Sequence, residues 1–248
     1  MNRSCEPDQI VYFFTDFGTQ GPYLAQMESA LLEQYSRARI LNLLSDAPIF
    51  SPRPASYLLG ALVPYLASGS SVVGVVDPGV GGGRKAILIE AAGRRFIGPD
   101  NGLFASLLKE NARCWQIHSP ESNLSATFHG RDLFAPALGV LLSGKPLKLT
   151  SICASELVGH DWSTELSEII YIDHYGNAMT GLRADGLPPL ARLRVAGREL
   201  SRCRTFSDVP AGEMFWYENS IGLVELAINQ GHICDEPGIR LGTTVEVL

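Results

Sequence analysis

Apolar residues in the first 150 positions alternate between two spacings. Short apolar runs at residues 10–16, 39–44 and 71–76 have the composition of buried strands. Between them, helical spacing of apolar residues predicts one helix after residue 18 and another over about residues 54–67. This β-α-β-α-β order predicts a mainly parallel sheet with helices on both faces.

Further elements complete this first domain. Residues 86–90 and 94–97, joined by Ala92-Gly93, predict a hairpin added to the sheet. The pattern then predicts a helix over about residues 103–110, a strand at 114–117 and a helix that follows Gly130. We therefore predict an N-terminal α/β domain over residues 1–158.

The pattern changes after residue 158. Residues 159–167 are polar and aperiodic, which predicts a linker. Over residues 168–248, short apolar runs are separated by turn residues and no helical spacing is found. This region is predicted to be a small all-β barrel or sandwich, with strands at residues 169–173, 191–195, 198–200, 214–218, 223–228 and 244–248.

Net charge and cysteine content limit the classes of binding partner and the cellular compartment that we expect for this protein. A net charge of −6 without a basic cluster argues against nucleic acid or a membrane surface as partner. The five cysteines are scattered and form no Cys-x-x-Cys pair, which favours a reduced cytoplasmic protein without a disulfide framework or zinc site. Residues 1–9 are polar, so no export signal is expected there.

Two acids and an arginine mark the ends of predicted strands. Asp77 follows the strand at residues 71–76, and a glycine-rich loop separates it from Arg84. An arginine beside a carboxylate offers an oriented fork of donors that can fix a small polar reactant, although an ordinary loop-closing ion pair would fit the same pattern. Asp16 ends the first strand, where it could accept ribose hydroxyls or cap a helix.

A histidine and a third acid come at the start of a predicted helix. His129 precedes Gly130, and the field at a helix N-terminus favours a neutral imidazole that can accept a proton or form a hydrogen bond. Asp132 follows closely. One alternative is that Asp16, Asp77 and Asp132 form a magnesium site for phosphate chemistry.

Taken together, six blocks in this order resemble the S-adenosylmethionine hydroxide adenosyltransferase family, relatives of the fluorinase and chlorinase enzymes. They cover nearly the whole chain. The blocks are Thr15-Asp16-Phe17-Gly18, residues 76–81 with Arg84, Pro99-Asp100-Asn101-Gly102, residues 127–132, Ile172-Asp173 with Gly176-Asn177, and residues 220–231.

The resemblance implies a fold, an assembly and a reaction. The expected protein has an N-terminal α/β domain and a C-terminal all-β barrel. It is expected to form a homotrimer in which each active site lies between the N-terminal domain of one subunit and the C-terminal domain of its neighbour. Water or hydroxide would attack C5′ of the ribose of S-adenosylmethionine and release adenosine and L-methionine. S-adenosylmethionine is then the substrate, and neither a metal nor a cofactor is implied.

The family pattern also implies residue roles. Asp77, Arg84 and His129 correspond to the catalytic triad that positions and activates the water. Asp16 corresponds to the residue that holds the ribose hydroxyls, and Asn177 to the residue at the adenine edge. Asp173 corresponds to the residue that binds the methionine ammonium, and Ser220 to the residue that binds the methionine carboxylate.

Two alternatives to the hydrolase interpretation remain at this stage. The same pocket could transfer a halide, although the Asp77 carboxylate should repel fluoride or chloride. The chain could also be a non-catalytic adenosine-binding module, because it departs from the family pattern. Gly21 stands where an acid is usual, Ile221 where halogenating relatives carry an arginine, and Gly181 where an asparagine is common.

Overall fold

The computed structural model describes residues 8–109, 111–118 and 124–248. Residues 1–7, on which the expectation of no export signal rests, lie outside this range, as does Cys5. By contacts the chain divides into two compact units: residues up to Ser56 with Tyr65–Trp162, and Tyr57–Pro64 with Ser163–Leu248. The division into an N-terminal domain that ends at residue 158 and a C-terminal domain that begins at residue 168 stays a prediction.

A seven-stranded sheet forms the N-terminal unit, with strand order β2-β1-β3-β5-β4-β6-β7 in the described residues. Parallel pairing joins β1 to β2 and β3, and β3 to β5, whereas β4 and β7 run in the opposite direction. The mainly parallel sheet is therefore confirmed. The strands are β1 Gln9–Thr15, β2 Ala38–Leu44, β3 Ser71–Val75, β4 Ala86–Ala91, β5 Arg94–Pro99, β6 Arg113–Ile117 and β7 Leu149–Ile152.

In the described residues, helices form near three of the positions that the apolar spacing predicts. They are α1 Tyr23–Gln34, α2 Pro52–Leu62 and α3 Ala135–Leu142. Met27 and Leu31 of α1 are fully buried and belong to the same core cluster as Phe134 and Leu138. No described side chain caps the N-terminus of α1. Its stability therefore depends mainly on burial of this apolar face.

The helix predicted over residues 103–110 is wrong in the described part of that range. Only a three-residue 3₁₀ turn, Ala105–Leu107, forms there. Ser106 instead bonds to Ser56, donating its N–H to Oγ over 3.0 Å and its hydroxyl to the carbonyl oxygen over 2.7 Å. These bonds, and burial of Phe104 against the sheet, outweigh the local helical spacing.

Two antiparallel sheets make up the C-terminal unit, with strand orders β12-β13-β9-β8 and β11-β10-β14. Single bridges join their edges, Glu168 with Thr244 and Arg202 with Trp216, so that the strands close into the predicted barrel. The second strand, at residues 178–183, was not predicted. The strands are β8 Leu166–Ile172, β9 Ala178–Arg183, β10 Arg192–Val195, β11 Arg198–Ser201, β12 Met214–Glu218, β13 Leu223–Ile228 and β14 Val245–Val247.

Packing in the barrel explains one departure from the family pattern. Gly181 lies opposite Leu166 in the sheet, and a Cβ at Gly181 would come within 2.6 Å of the Leu166 carbonyl oxygen. An asparagine could not be accommodated at this position without moving the strand.

In the part of the chain that the structure describes, no helix has the length and apolar character needed to cross a membrane.

The close contact between β3 and β5 leaves no room for a side chain at Gly98. A Cβ at Gly98 would lie 2.2 Å from the Gly74 carbonyl oxygen and 3.0 Å from the Phe104 ring. We expect Gly98→Ala to lower the free energy of unfolding by about 1–3 kcal/mol, because backbone in a packed sheet cannot yield freely. Urea unfolding followed by circular dichroism measures this change.

Gly83→Ala is the matched control. No described atom lies within 4 Å of a Cβ added at Gly83, so this substitution should leave the unfolding midpoint nearly unchanged. Equal stability of the two variants would contradict the packing argument.

Candidate active site

The loop that links Asp77 to Arg84 is folded back by hydrogen bonds between its own residues. Val80 donates its N–H to the Asp77 carbonyl over 3.2 Å, and Gly82 donates to Gly79 over 3.0 Å. Gly81 has φ +80, and a Cβ there would lie 2.3 Å from the Ala126 carbonyl oxygen, so only glycine fits. The strand therefore delivers Asp77, and the tight loop returns Arg84 to it.

Arg84 bridges Asp77 and His129. Its Nε lies 3.0 Å from Oδ1 and 2.9 Å from Oδ2 of Asp77, and its Nη2 also donates to Oδ2. The same Nη2 lies 2.9 Å from Nδ1 of His129. The side chains of Arg84 and Asp77 are only 10% and 3% exposed, so solvent screens the pair weakly. The structure thus brings the three predicted catalytic residues together.

Neighbouring groups hold this cluster in place. Asn101 donates Nδ2 to the Val76 carbonyl over 2.9 Å and to Asp77 Oδ1 over 3.4 Å. The Arg84 guanidinium lies 5.0 Å from the centre of the Phe134 ring, a cation–π distance. The Pro-Asp-Asn-Gly block signalled a functional turn in the sequence, but its link to Asp77 could not be read there. Phe134 gave no signal, because it looks like any apolar residue of a helix.

Burial, and then the positive charge of Arg84, lower the pKa of His129 below its ordinary value. A neutral imidazole that accepts a hydrogen bond at Nδ1 carries its proton on Nε2. His129 stands directly before a π-helical turn, Gly130–Phe134, that leads into α3. In this arrangement the ring can donate from Nε2 to a bound oxygen while Arg84 fixes its orientation.

Asp16 has a partner that the sequence did not predict. Phe50 donates its backbone N–H to Oδ2 of Asp16 over 3.0 Å, and α1 begins only at Tyr23, so Asp16 does not cap that helix. Phe50 is 73% exposed and has φ 55, an uncommon conformation for a bulky residue. Burial raises the pKa of Asp16, and the charge of Asp77 adds a smaller increase.

Asp132 is engaged elsewhere. Arg131 donates Nε and Nη2 to its carboxylate, and Ser125 donates its N–H over 2.9 Å. The hydrogen bond from Arg131 lowers the pKa of Asp132. Within the described ranges, no three acidic, histidine or cysteine side chains are grouped as metal ligands, so Asp16, Asp77 and Asp132 do not form the alternative magnesium site.

The remaining predicted residues, Asp173, Asn177 and Ser220, line one cavity of about 840 Å³ in the C-terminal unit. Asp173 accepts two hydrogen bonds from Asn177, from its backbone N–H over 2.8 Å and from Nδ2 over 3.1 Å. This leaves the side-chain oxygen of Asn177 as its acceptor for a ligand. The cavity thus combines a negative charge with an amide oxygen.

Three further cavity residues were not predicted as site residues. Phe206 and Tyr217 provide aromatic surface, with ring centres 5.2 Å apart, and Glu225 provides a second carboxylate. The signal for Glu225 is a single acid within an otherwise apolar strand. The turn that carries Ser220 is held by Asn219, whose Oδ1 accepts the N–H groups of Ile221 and Leu223 over 3.1 and 2.9 Å.

Two family models match the chain. Residues 11–151 match the family model of the SAM hydroxide adenosyltransferase N-terminal domain, and residues 167–246 match that of the C-terminal domain. Together the two matches cover most of the chain and identify the class of protein as an adenosyltransferase-type enzyme. The chain belongs to the SAM hydroxide adenosyltransferase family, and the resemblance seen in the sequence is confirmed.

Individual relatives cover nearly the whole chain. A curated (R)-S-adenosyl-L-methionine hydrolase of Thermus thermophilus is 36% identical, covering 96% of this chain and 99% of its own. One from Salinispora arenicola is 33% identical, covering 96% and 97%. A solved structure of a conserved Thermotoga maritima protein has TM-score 0.80 at 25% identity, covering 96% of this chain and 99% of that one. A solved structure of a conserved hypothetical protein from Thermus thermophilus has TM-score 0.79 at 34% identity, covering 97% and 100%.

The geometry around His129 predicts its titration. Because its pKa is lowered, NMR should find a midpoint below the ordinary value of 6.5, with the ring neutral above that midpoint. Arg84→Met removes a positive charge that disfavours the imidazolium and also leaves Asp77 unpaired, so the midpoint should rise. Arg113→Met, at a side chain that is 72% exposed, should leave it unchanged.

A midpoint at or above 6.5 in the unsubstituted protein would contradict this account. The same conclusion would follow if Arg84→Met left the midpoint where it was.

Proposed function

We propose that the protein hydrolyses S-adenosyl-L-methionine to adenosine and L-methionine by attack of an activated water on ribose C5′. The observation that carries this proposal is the cluster of His129 with the buried Asp77 and Arg84 side chains, in a chain of this family. The curated relatives from Thermus and Salinispora carry the name of this hydrolase. We assign the catalytic role to these three residues.

The leaving group explains why such a cluster suffices. In the reaction a C5′–O bond forms, the C5′–S bond breaks, and its electron pair goes to sulfur. Since the sulfonium leaves as a neutral thioether, no acid is needed at sulfur. The protein has to supply an oriented and partly desolvated nucleophile, and alignment can contribute several of the ~7–11 kcal/mol available to well-placed reactants.

Each residue of the cluster has a separate task. His129 donates from Nε2 to the water oxygen and so directs a lone pair at C5′. Asp77 accepts an O–H of the water and passes the released proton towards solvent. The guanidinium of Arg84, which stays charged, favours hydroxide character in the bound water.

We assign the other predicted residues to the substrate. Asp16 takes the ribose hydroxyls, because a carboxylate can accept both of them. The side-chain oxygen of Asn177 takes the adenine amino group. Asp173 binds the methionine ammonium, and Ser220 binds the methionine carboxylate. Gly21 and Ile221 supply no charge to this part of the substrate, so Asp173 and Ser220 have the main role.

Assembly, cofactor and compartment are parts of the same proposal. We propose a homotrimer in which the N-terminal domain of one subunit and the C-terminal domain of its neighbour form each active site. We propose that no metal or other cofactor takes part, because a sulfonium leaving group needs no electrophilic activation. The cytoplasm is the proposed location, since the described cysteines are free thiols, as is usual in a reducing compartment.

Hydrolysis is favoured over halide transfer by one contact. The Asp77 carboxylate faces the position proposed for the nucleophile and is fixed there by Arg84 and Asn101. It repels an anionic halide but accepts a hydrogen bond from neutral water.

Product analysis tests the function. Purified protein incubated with S-adenosylmethionine, chloride and excess EDTA should release adenosine and methionine in equal amounts, measured by chromatography. Asp77→Asn keeps the shape of the side chain but removes its charge, and should lower kcat by about 10³-fold. Asp185→Asn, at an exposed turn, serves as the control and should keep full activity.

Two outcomes would contradict the proposal. One is adenosine formation that Asp77→Asn leaves unchanged. The other is 5′-chloro-5′-deoxyadenosine as the main product.

The fork geometry of Arg84 gives a second test. Arg84→Lys keeps a positive charge but cannot contact both Asp77 oxygens and His129 at once. We expect kcat to fall on the order of 10²-fold with KM little changed, because misplacing the nucleophile affects the chemical step. Arg113→Lys controls for the chemical change. Activity of Arg84→Lys close to that of the unsubstituted protein would show that charge alone is enough.

A further inference from the structure

Glu225 is a buried carboxylate in the middle of an apolar strand. It is 2% exposed, and the other residues of β13 are apolar and buried. Tyr217 donates its hydroxyl to Oε1, and Asn219 donates Nδ2 to Oε2 over 2.6 Å. Burial raises the pKa of Glu225, the hydrogen bonds from Tyr217 and Asn219 lower it, and the nearby charge of Asp173 raises it. None of these described groups is a cation, so a charge on Glu225 is buried without a positive partner among them.

Hydrogen bonding alone does not account for an acid at this position. A glutamine could accept from Asn219 with its oxygen and donate to the Tyr217 oxygen with its amide group, so both contacts would remain. Burying a neutral amide costs far less than burying an unpaired ion. The feature that needs a reason is thus the charge of Glu225.

The cavity next to Glu225 supplies that reason. Glu225 and Asp173 line the same space of about 840 Å³, and after burial the charge of Asp173 is the other influence that raises the pKa of Glu225. Two carboxylates that act on one another across a cavity repel, and a cation bound there relieves the repulsion. Phe206 and Tyr217 line the same cavity with aromatic rings, which also favour a cation.

We propose that Glu225 makes this cavity select an adenosyl ligand that carries a net positive charge over a neutral one. The inference rests on the proposed function, in which the cavity takes part of S-adenosylmethionine. Hydrolysis turns a substrate with a positive sulfonium into neutral adenosine and a methionine without net charge. The same carboxylate thus strengthens substrate binding and weakens the hold on the products.

Two analogues that hydrolysis cannot consume separate charge from shape. Sinefungin carries an ammonium in place of the sulfonium, and S-adenosylhomocysteine carries a neutral thioether at that place. Calorimetry should show that Glu225→Gln weakens sinefungin binding about tenfold and changes S-adenosylhomocysteine binding less than about twofold. Glu218→Gln is the matched control, because Glu218 is exposed and pairs with Arg202 over 3.1 Å.

The outcomes are distinct. Equal weakening of both analogues would show that Glu225 only supports the local structure, and no change in either would show that its charge has no effect; each result overturns the inference. The unsubstituted protein gives an independent test, which holds even if Glu225→Gln does not fold. It should bind sinefungin more tightly than S-adenosylhomocysteine, and equal affinity overturns the inference. If neither analogue binds and no adenosine is formed, it is the proposed function that fails.

Discussion

The ion pair between Arg84 and Asp77 is the contact on which the N-terminal site depends. Both side chains are almost fully buried, and the guanidinium fork meets both carboxylate oxygens while reaching His129 as well. Burying two charges costs desolvation energy that their attraction does not always recover, so a buried pair is weak evidence for a role in stability. An arrangement of this kind is better explained by what it does to the groups around it. Here it fixes a carboxylate and orients an imidazole, and the charge of Arg84 adds to the effect of burial in lowering the pKa of that imidazole.

Backbone constraints make this contact possible. Asp77 follows a fully buried parallel strand, and Gly81 lets the loop pass close to Ala126 on its way back to Arg84. The position of the acid is thus set by the sheet, and that of the arginine by the loop. Preorganisation of this sort reduces the reorganisation that the reaction would otherwise require.

Among the described residues, the C-terminal unit buries a carboxyl group without a cationic partner, in contrast to the N-terminal unit. Asp77 is buried with a cation, whereas Glu225 is buried with only neutral donors. A site that holds its own counter-charge can polarise a neutral water, and a site that lacks one can attract a cation. These two demands match a reaction between water and a sulfonium.

The sequence predicted much of this organisation, and its failures have physical causes. Periodicity found the strands before Asp77 and the helix containing Met27, because each buries one continuous apolar face. It failed at residues 103–110, where bonds between Ser106 and Ser56 override helical spacing. The six ordered blocks predicted Asp77, Arg84 and His129, but Phe50 and Asn101 act through contacts with residues 34 and 24 positions away. Contacts over such separations leave no local pattern in one sequence.

Isotope labelling tests the central claim most directly, because it follows the oxygen that the cluster is proposed to deliver. The reaction is run in water enriched in ¹⁸O, and both products are analysed by mass spectrometry. The account predicts one labelled oxygen in adenosine, at the 5′-hydroxyl, and no label in methionine. Unlabelled adenosine, or label in the amino acid product, would contradict attack by water at C5′.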